Sequence, residues 1–151
     1  MALNVSKQRL YASLLMFGSC ILLFRSQLML YSGALDVLVL WVSVLLVAEF
    51  LVDLSCFFSS IHWWIKNDEN KASVPLRFGA AAAILHAVRV LIFVLGRTGP
   101  WINFDVKPVH RAFHATRWTW GQVYFAAIIS ILGVMGVITI WRLRRRAKKN
   151  Q

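Results

Sequence analysis

The sequence predicts an all-α membrane protein: four transmembrane helices in an antiparallel bundle, with a short amphipathic interfacial helix between the third and fourth. Three observations predict it. The chain has 151 residues, of which 59% are hydrophobic and only 15% charged, and its mean hydropathy is +0.64. The apolar residues gather in four runs long enough to cross a bilayer rather than in half-buried stripes. Basic residues collect beside those runs, six of the seventeen Lys and Arg falling between Arg142 and Lys149. A soluble domain of this size would not need so many long apolar segments.

Each element follows in order, and together they form a single four-span domain over residues 1–151. Residues 1–9 are polar, with Lys7 and Arg9 just before a first span at about 10–31, apolar except for Arg25 and Gln27. Ser32-Gly33-Ala34 is a turn short enough to force neighbouring antiparallel helices. The second span is expected at about 35–65, closing on His62-Trp63-Trp64 as an aromatic belt ahead of Lys66. Residues 66–73 are the most hydrophilic stretch and are expected to be a loop. Pro75 suits the entry to a third span at about 76–96, because the missing N–H is harmless there. Gly79, Ala83 and Ala87, with Ala80 to Ala82 beside them, are a small-residue face for close helix packing in lipid.

The connection 97–120 is the longest. Within it, 108–120 reads as a surface helix: Val109, Phe113, Thr116 and Trp120 fall on one stripe and His110, His114 and Arg117 on another. The fourth span, about 121–141, carries no charge, and Ser130, Gly133 and Gly136 give it a second small-residue face. A basic tail, 142–151, follows. Cys20 and Cys56 both lie in apolar runs and read as small buried residues rather than a disulfide framework.

The chemistry lies in the second and third runs. Glu49 and Asp53 stand four apart, and His86 and Arg89 three apart, so each pair shares a helix face. In a hairpin closed by residues 66–73, Glu49 comes ~21 Å from the Trp63 end and Arg89 ~18 Å from the Arg77 end at 1.5 Å rise per residue. Asp53 and His86 come at ~15 Å and ~14 Å, and Arg25, counted from Leu10, at ~22 Å. A lone charge at such depth costs at least ~2.5–3.5 kcal/mol on insertion scales. Arg25, Glu49, Asp53, His86 and Arg89 are therefore read as one buried, neutralised polar network. For Arg25, snorkelling to the far interface is an equal alternative.

Other chemistries find less support. His110 and His114 have the i, i+4 spacing that can hold one metal, but Glu does not follow His110, no third ligand is near, and Arg111 repels. A histidine pair at the membrane interface is the simpler account, with Arg117 a third loop candidate. Bis-histidine haem needs two histidines at matching depth; His62 and His86 differ by ~14 Å, so haem would require His114 to fold inward. No nucleophile elbow, phosphate-binding glycine loop or cysteine–histidine cluster occurs, and neither cofactor nor catalytic residue is assigned. The net charge of +11 could suggest nucleic acid or acidic lipid, but the excess is mostly a membrane-flanking tail, so nucleic acid is not expected as a partner.

Counting Lys and Arg orients the chain. With four spans, eleven fall on the side of both termini and four (Arg97, Lys107, Arg111, Arg117) on the other. The positive-inside rule then puts both termini in the cytoplasm. A bacterial cytoplasmic membrane is the default. The closing Lys148-Lys149-Asn150-Gln151 has the form of an endoplasmic-reticulum retrieval signal should the chain be eukaryotic. Of three functional readings, an accessory or assembly subunit, or a homo-oligomeric component, requires least beyond the sequence. Its partners would be the bilayer and a membrane protein or further copies packed on the small-residue faces. A transporter or proton-relay element using Glu49, Asp53, His86 and Arg89 is the second. A membrane enzyme acting on an amphipathic anionic ligand is the third.

Overall fold

The computed structural model describes residues 5–97 and 99–111, together with scattered residues between 124 and 145. Among them the secondary structure is helical apart from turns and one isolated β-bridge. Three helical segments are long and apolar enough to cross a membrane, Val5–Tyr31, Leu40–Lys66 and Glu69–Leu95, the mark of an integral membrane protein.

Helix α1 spans Val5–Tyr31, beginning five residues ahead of the expected first span. Gly33, at φ 75, makes the left-handed turn into a short helix α2, Ala34–Val37, a conformation that favours glycine. The expected second span is then interrupted. Leu38 and Val39 are extended before α3 runs over Leu40–Lys66. The cause lies in the distant loop: Val39 N–H donates to the Asp105 carbonyl at 3.0 Å, and Lys107 N–H donates to the Val37 carbonyl at 2.9 Å. Leu38 and Val106 thus form a small antiparallel bridge, which satisfies backbone groups that a helix break in apolar surroundings would otherwise orphan. Asn67, at φ 50, ends α3, its N–H donating to the Trp63 carbonyl at 2.8 Å.

The polar connection is more ordered than a plain loop. The Asp68 side chain accepts from Asn70 N–H, and a 3₁₀ turn over Glu69–Ala72 leads directly into α4, Ser73–Leu95. Helix α4 therefore starts three residues before residue 76, with Pro75 inside its first turn.

Helix α3 packs against both α1 and α4, which touch each other far less. The buried positions explain how. On α3 they are Val42, Leu46, Glu49, Asp53, Cys56, Ser60 and Trp63, an unbroken alternation of four- and three-residue steps. On α4, Gly79, Ala82, His86, Arg89 and Phe93 continue the same alternation. That is the seam of a heptad, on which side chains of facing helices interdigitate. On α1, Gln8, Ala12, Leu15, Ser19, Ser26 and Met29 fit it too.

The seam has three layers. One end is an apolar cluster of Ala12, Leu15, Trp63, Ala72 and Leu76. The other gathers Met29, Ala34, Leu38, Val42, Leu46, Ile92 and Phe93. Between them lies a polar layer of Ser26, Glu49, Asp53, Ser60, His86 and Arg89, all of them inaccessible. Large apolar side chains such as Phe17, Phe24, Phe58, Ile84 and Leu91 point outward. Such a surface suits lipid and would be an aggregation hazard in water.

Three expectations change here. Trp63 does not join an interfacial belt; it is buried in the apolar end, while His62 and Trp64 are exposed. Heptad spacing puts residue 63 on the seam and its two neighbours off it. Cys20 is exposed on α1, and only Cys56 is buried. Within the third run Gly79, Ala82 and Ala83 are buried inside the chain, whereas Ala87 is exposed. In the fourth run, Tyr124, Phe125, Ile128, Ile131, Leu132, Met135 and Ile138 are helical and exposed. Ala127, Gly136, Thr139 and Trp141 are helical as well; the rest of 121–141, most of the expected surface helix 108–120 and all of 142–151 save Arg142 and Arg145 lie outside the described residues.

Candidate functional site

The polar layer is assembled from all three long helices. Arg89 on α4 brings its Nε within 2.7 Å of Glu49 Oε2 on α3. One turn along, His86 Nε2 lies 2.9 Å from Asp53 Oδ2 and 3.2 Å from Oδ1. Ser26 on α1 donates its hydroxyl to Asp53 Oδ2 at 3.1 Å. The small residues Gly79, Ala82 and Ala83 lie buried on the same helix face, where they allow backbones to approach closely enough for such contacts.

The imidazole links Asp53 to the Glu49–Arg89 ion pair, and its contacts fix its tautomer. Arg89 Nη2 stands 3.0 Å from His86 Nδ1. Guanidinium nitrogens only donate, so Nδ1 accepts. Nε2 therefore carries the proton and donates to Asp53. Histidine in this tautomer is neutral, and two carboxylates then face two guanidiniums, Arg89 and Arg25. With Arg25 at its edge counted, the layer sums to zero charge. Ser26, Asp53, His86, Arg89 and Glu49 form one continuous chain of polar contacts through a fully buried slab. Arg89 also lies over the Phe93 ring, 5.8 Å from its centroid, where the positive charge meets the ring face.

Arg25 is placed less tightly. It is half-buried on α1 beside Ser26. Its Nη1 is buried without a hydrogen-bond partner among the described residues. The structure thus sets it against the edge of the layer, between the two arrangements the sequence left open.

A second buried acid was not legible as a site residue. Asp105, fully buried, accepts from Arg97 Nη1 at 3.3 Å, and the same nitrogen donates to the Gly96 carbonyl at 2.9 Å. Gly96 is required by contact: a Cβ there would stand 2.5 Å from Asp105 Oδ1 and 3.0 Å from its Cγ. The available signal was that Asp105 is the sole carboxylate in 97–120, among four cations. Phe104 beside it stacks on Trp41 and meets Trp101 edge-on, each with centroids 5.9 Å apart. This knot holds the loop on the end of the helices. Gly96→Ala is expected to cost about 1–3 kcal/mol, the usual range for overpacking, read as a lower thermal midpoint in detergent. An unchanged midpoint would show that the loop yields freely.

The remaining loop candidates fall apart. His110 closes a 3₁₀ turn over Pro108–His110 and is partly exposed. His114 and Arg117 lie outside the described residues. Among the described residues no cluster of three metal-ligating side chains occurs. His86 is held by Asp53 and Arg89 while His62 is exposed, so these two do not meet as a haem pair.

No family model, no curated protein and no solved structure matches this chain.

Proposed function

We propose that this protein is a small multi-pass membrane component that serves in assembly, as an accessory subunit or a homo-oligomer, and that its charge network is an internal clamp. In this reading four helices cross the bilayer in antiparallel order with both termini cytoplasmic. One observation carries it. Glu49, Asp53, His86 and Arg89 are fully buried, contact one another inside the chain and lie between two apolar clusters, whereas large apolar side chains cover the outer surface. A relay or transport site needs water or ligand to reach its titratable groups; a clamp needs them dry. The enzyme reading asked Arg25 and Arg89 to hold an anionic ligand, but Arg89 already has Glu49. For association, the fourth run retains a candidate face at Gly136, where nothing lies within 4 Å of a Cβ position.

Topology supplies one test. In a Cys20→Ser, Cys56→Ser background, a cysteine at exposed Asn70 is expected to react with an impermeant maleimide only from the cytoplasmic side, and one at exposed Val109 only from the other. Labelling of both from one side would contradict the arrangement. Function is tested in proteoliposomes. Wild type and His86→Ala are expected to give the same proton leak as empty vesicles, and the chain in mild detergent a mass above the monomer. A proton flux abolished by His86→Ala would replace the clamp with a relay.

A further inference from the structure

The helix break at Leu38–Val39 opens a groove of about 440 Å³ on the outside of the molecule, within the ~300–1,000 Å³ span of ligand sites. Its walls are Leu35, Leu38, Leu40, Val44 and Val47, with Ser43 between them and Lys107 at one end. Leu40, Val44 and Val47 stand at i, i+4 and i+7 on α3, so the apolar wall runs along the helix axis. At 1.5 Å per residue it extends ~10 Å from the loop toward the middle of α3. The groove is distinct from the sealed charge layer, none of whose residues lines it.

The polar end is cationic. Lys107 Nζ donates to the carbonyls of Asp36 at 2.8 Å and Leu35 at 3.4 Å, which pins the ammonium at the mouth of the groove and leaves it a third donor. Arg111, four residues on, is exposed, and among the described residues it donates its Nε to the Val106 carbonyl at 3.3 Å. Among the described residues no carboxylate lies within ion-pair distance of either cation. Asp105 is paired with Arg97, and Asp36 alone adjoins the ammonium, so the mouth keeps a net positive charge. An apolar channel running into the membrane from a net-positive mouth has the shape and charge of a seat for one amphiphile.

We propose that this groove binds an anionic phospholipid, one acyl chain lying along Leu40, Val44 and Val47 and the headgroup phosphate meeting Lys107 and Arg111. The inference rests on the membrane reading above. Its function would be to fix a lipid at the joint where the loop 97–111 closes on the start of α3.

Native mass spectrometry of the full chain tests it, with phosphatidylglycerol and phosphatidylcholine of identical acyl chains added in equal amounts. Wild type is expected to retain phosphatidylglycerol preferentially. Arg111→Gln or Lys107→Gln should reduce the preference about fivefold each, as expected for a cation near an anionic surface. Val44→Trp, an exposed position facing the groove, fills it without touching the core and should abolish retention. Glycerol phosphate, a headgroup without tails, should not bind. Retention without preference between the lipids overturns the groove while leaving the membrane reading standing. Unaltered retention in Val44→Trp also overturns it, as does a lipid-free dimer, which would show that a second copy fills the groove.

Discussion

Glu49→Gln and Arg89→Gln are each expected to destabilise the protein by about 3–5 kcal/mol, the usual cost of leaving one member of a buried ion pair alone. Both side chains are fully buried, and their contact is 2.7 Å. Arg89→Gln should be the worse of the two, because the same guanidinium also donates to His86 Nδ1. Its loss strands Glu49 and leaves an imidazole acceptor unmet, while the layer's charge falls to minus one. Thermal unfolding in a single detergent, with folded yield as a second readout, measures both. Midpoints unchanged in either variant would mean that water or lipid headgroups reach the layer.

Asp53→Ala is expected to have an effect of similar size, about 3–5 kcal/mol, because it discards two hydrogen bonds to a buried carboxylate at about 1.5–3 kcal/mol each. Asp53 ties α1 to α3 through Ser26 and α3 to α4 through His86, so its removal loosens three helices together. Asp53→Asn separates the contributions. The amide keeps an acceptor for the His86 Nε2 proton and for the Ser26 hydroxyl but discards the charge. Ser26→Ala should cost only about 1.5–3 kcal/mol, as one such hydrogen bond does. If Asn proves as damaging as Ala, charge balance and not hydrogen bonding is what Asp53 provides.

How these residues come together was only partly legible in the sequence. Helix spacing places Glu49 with Asp53 and His86 with Arg89 on shared faces, and depth counting sets the two pairs level. Their contacts depend on the heptad seam, which hydropathy hides. In a membrane helix both the lipid-facing and the buried sides are apolar, so Phe58 and Leu46 look alike in sequence although one is exposed and the other buried. Only polar and small residues trace the seam: Gln8, Ser19 and Ser26 on α1, Asp53 and Ser60 on α3, Gly79 and Ala82 on α4. Ser26 follows the ambiguous Arg25 directly, and a serine in a membrane helix attracts little notice. Trp63, close to Lys66, has the composition of an interface, and only the heptad spacing shows that it belongs to the buried seam. The break at Leu38–Val39 could not be foreseen, since its cause is a loop nearly seventy residues away whose Asp105 and Lys107 take up the freed backbone groups.

The clamp requires Glu49 and Arg89 to act as one unit, and the double variant Glu49→Gln with Arg89→Gln tests that most directly. Measured beside the two single variants in the same detergent, it is expected to lose less stability than their sum, by a coupling of about 0.5–3 kcal/mol. The second substitution removes a charge the first has stranded, so part of the damage is undone. Strict additivity of the two losses would mean that each charge is stabilised independently, and the clamp would have to be abandoned.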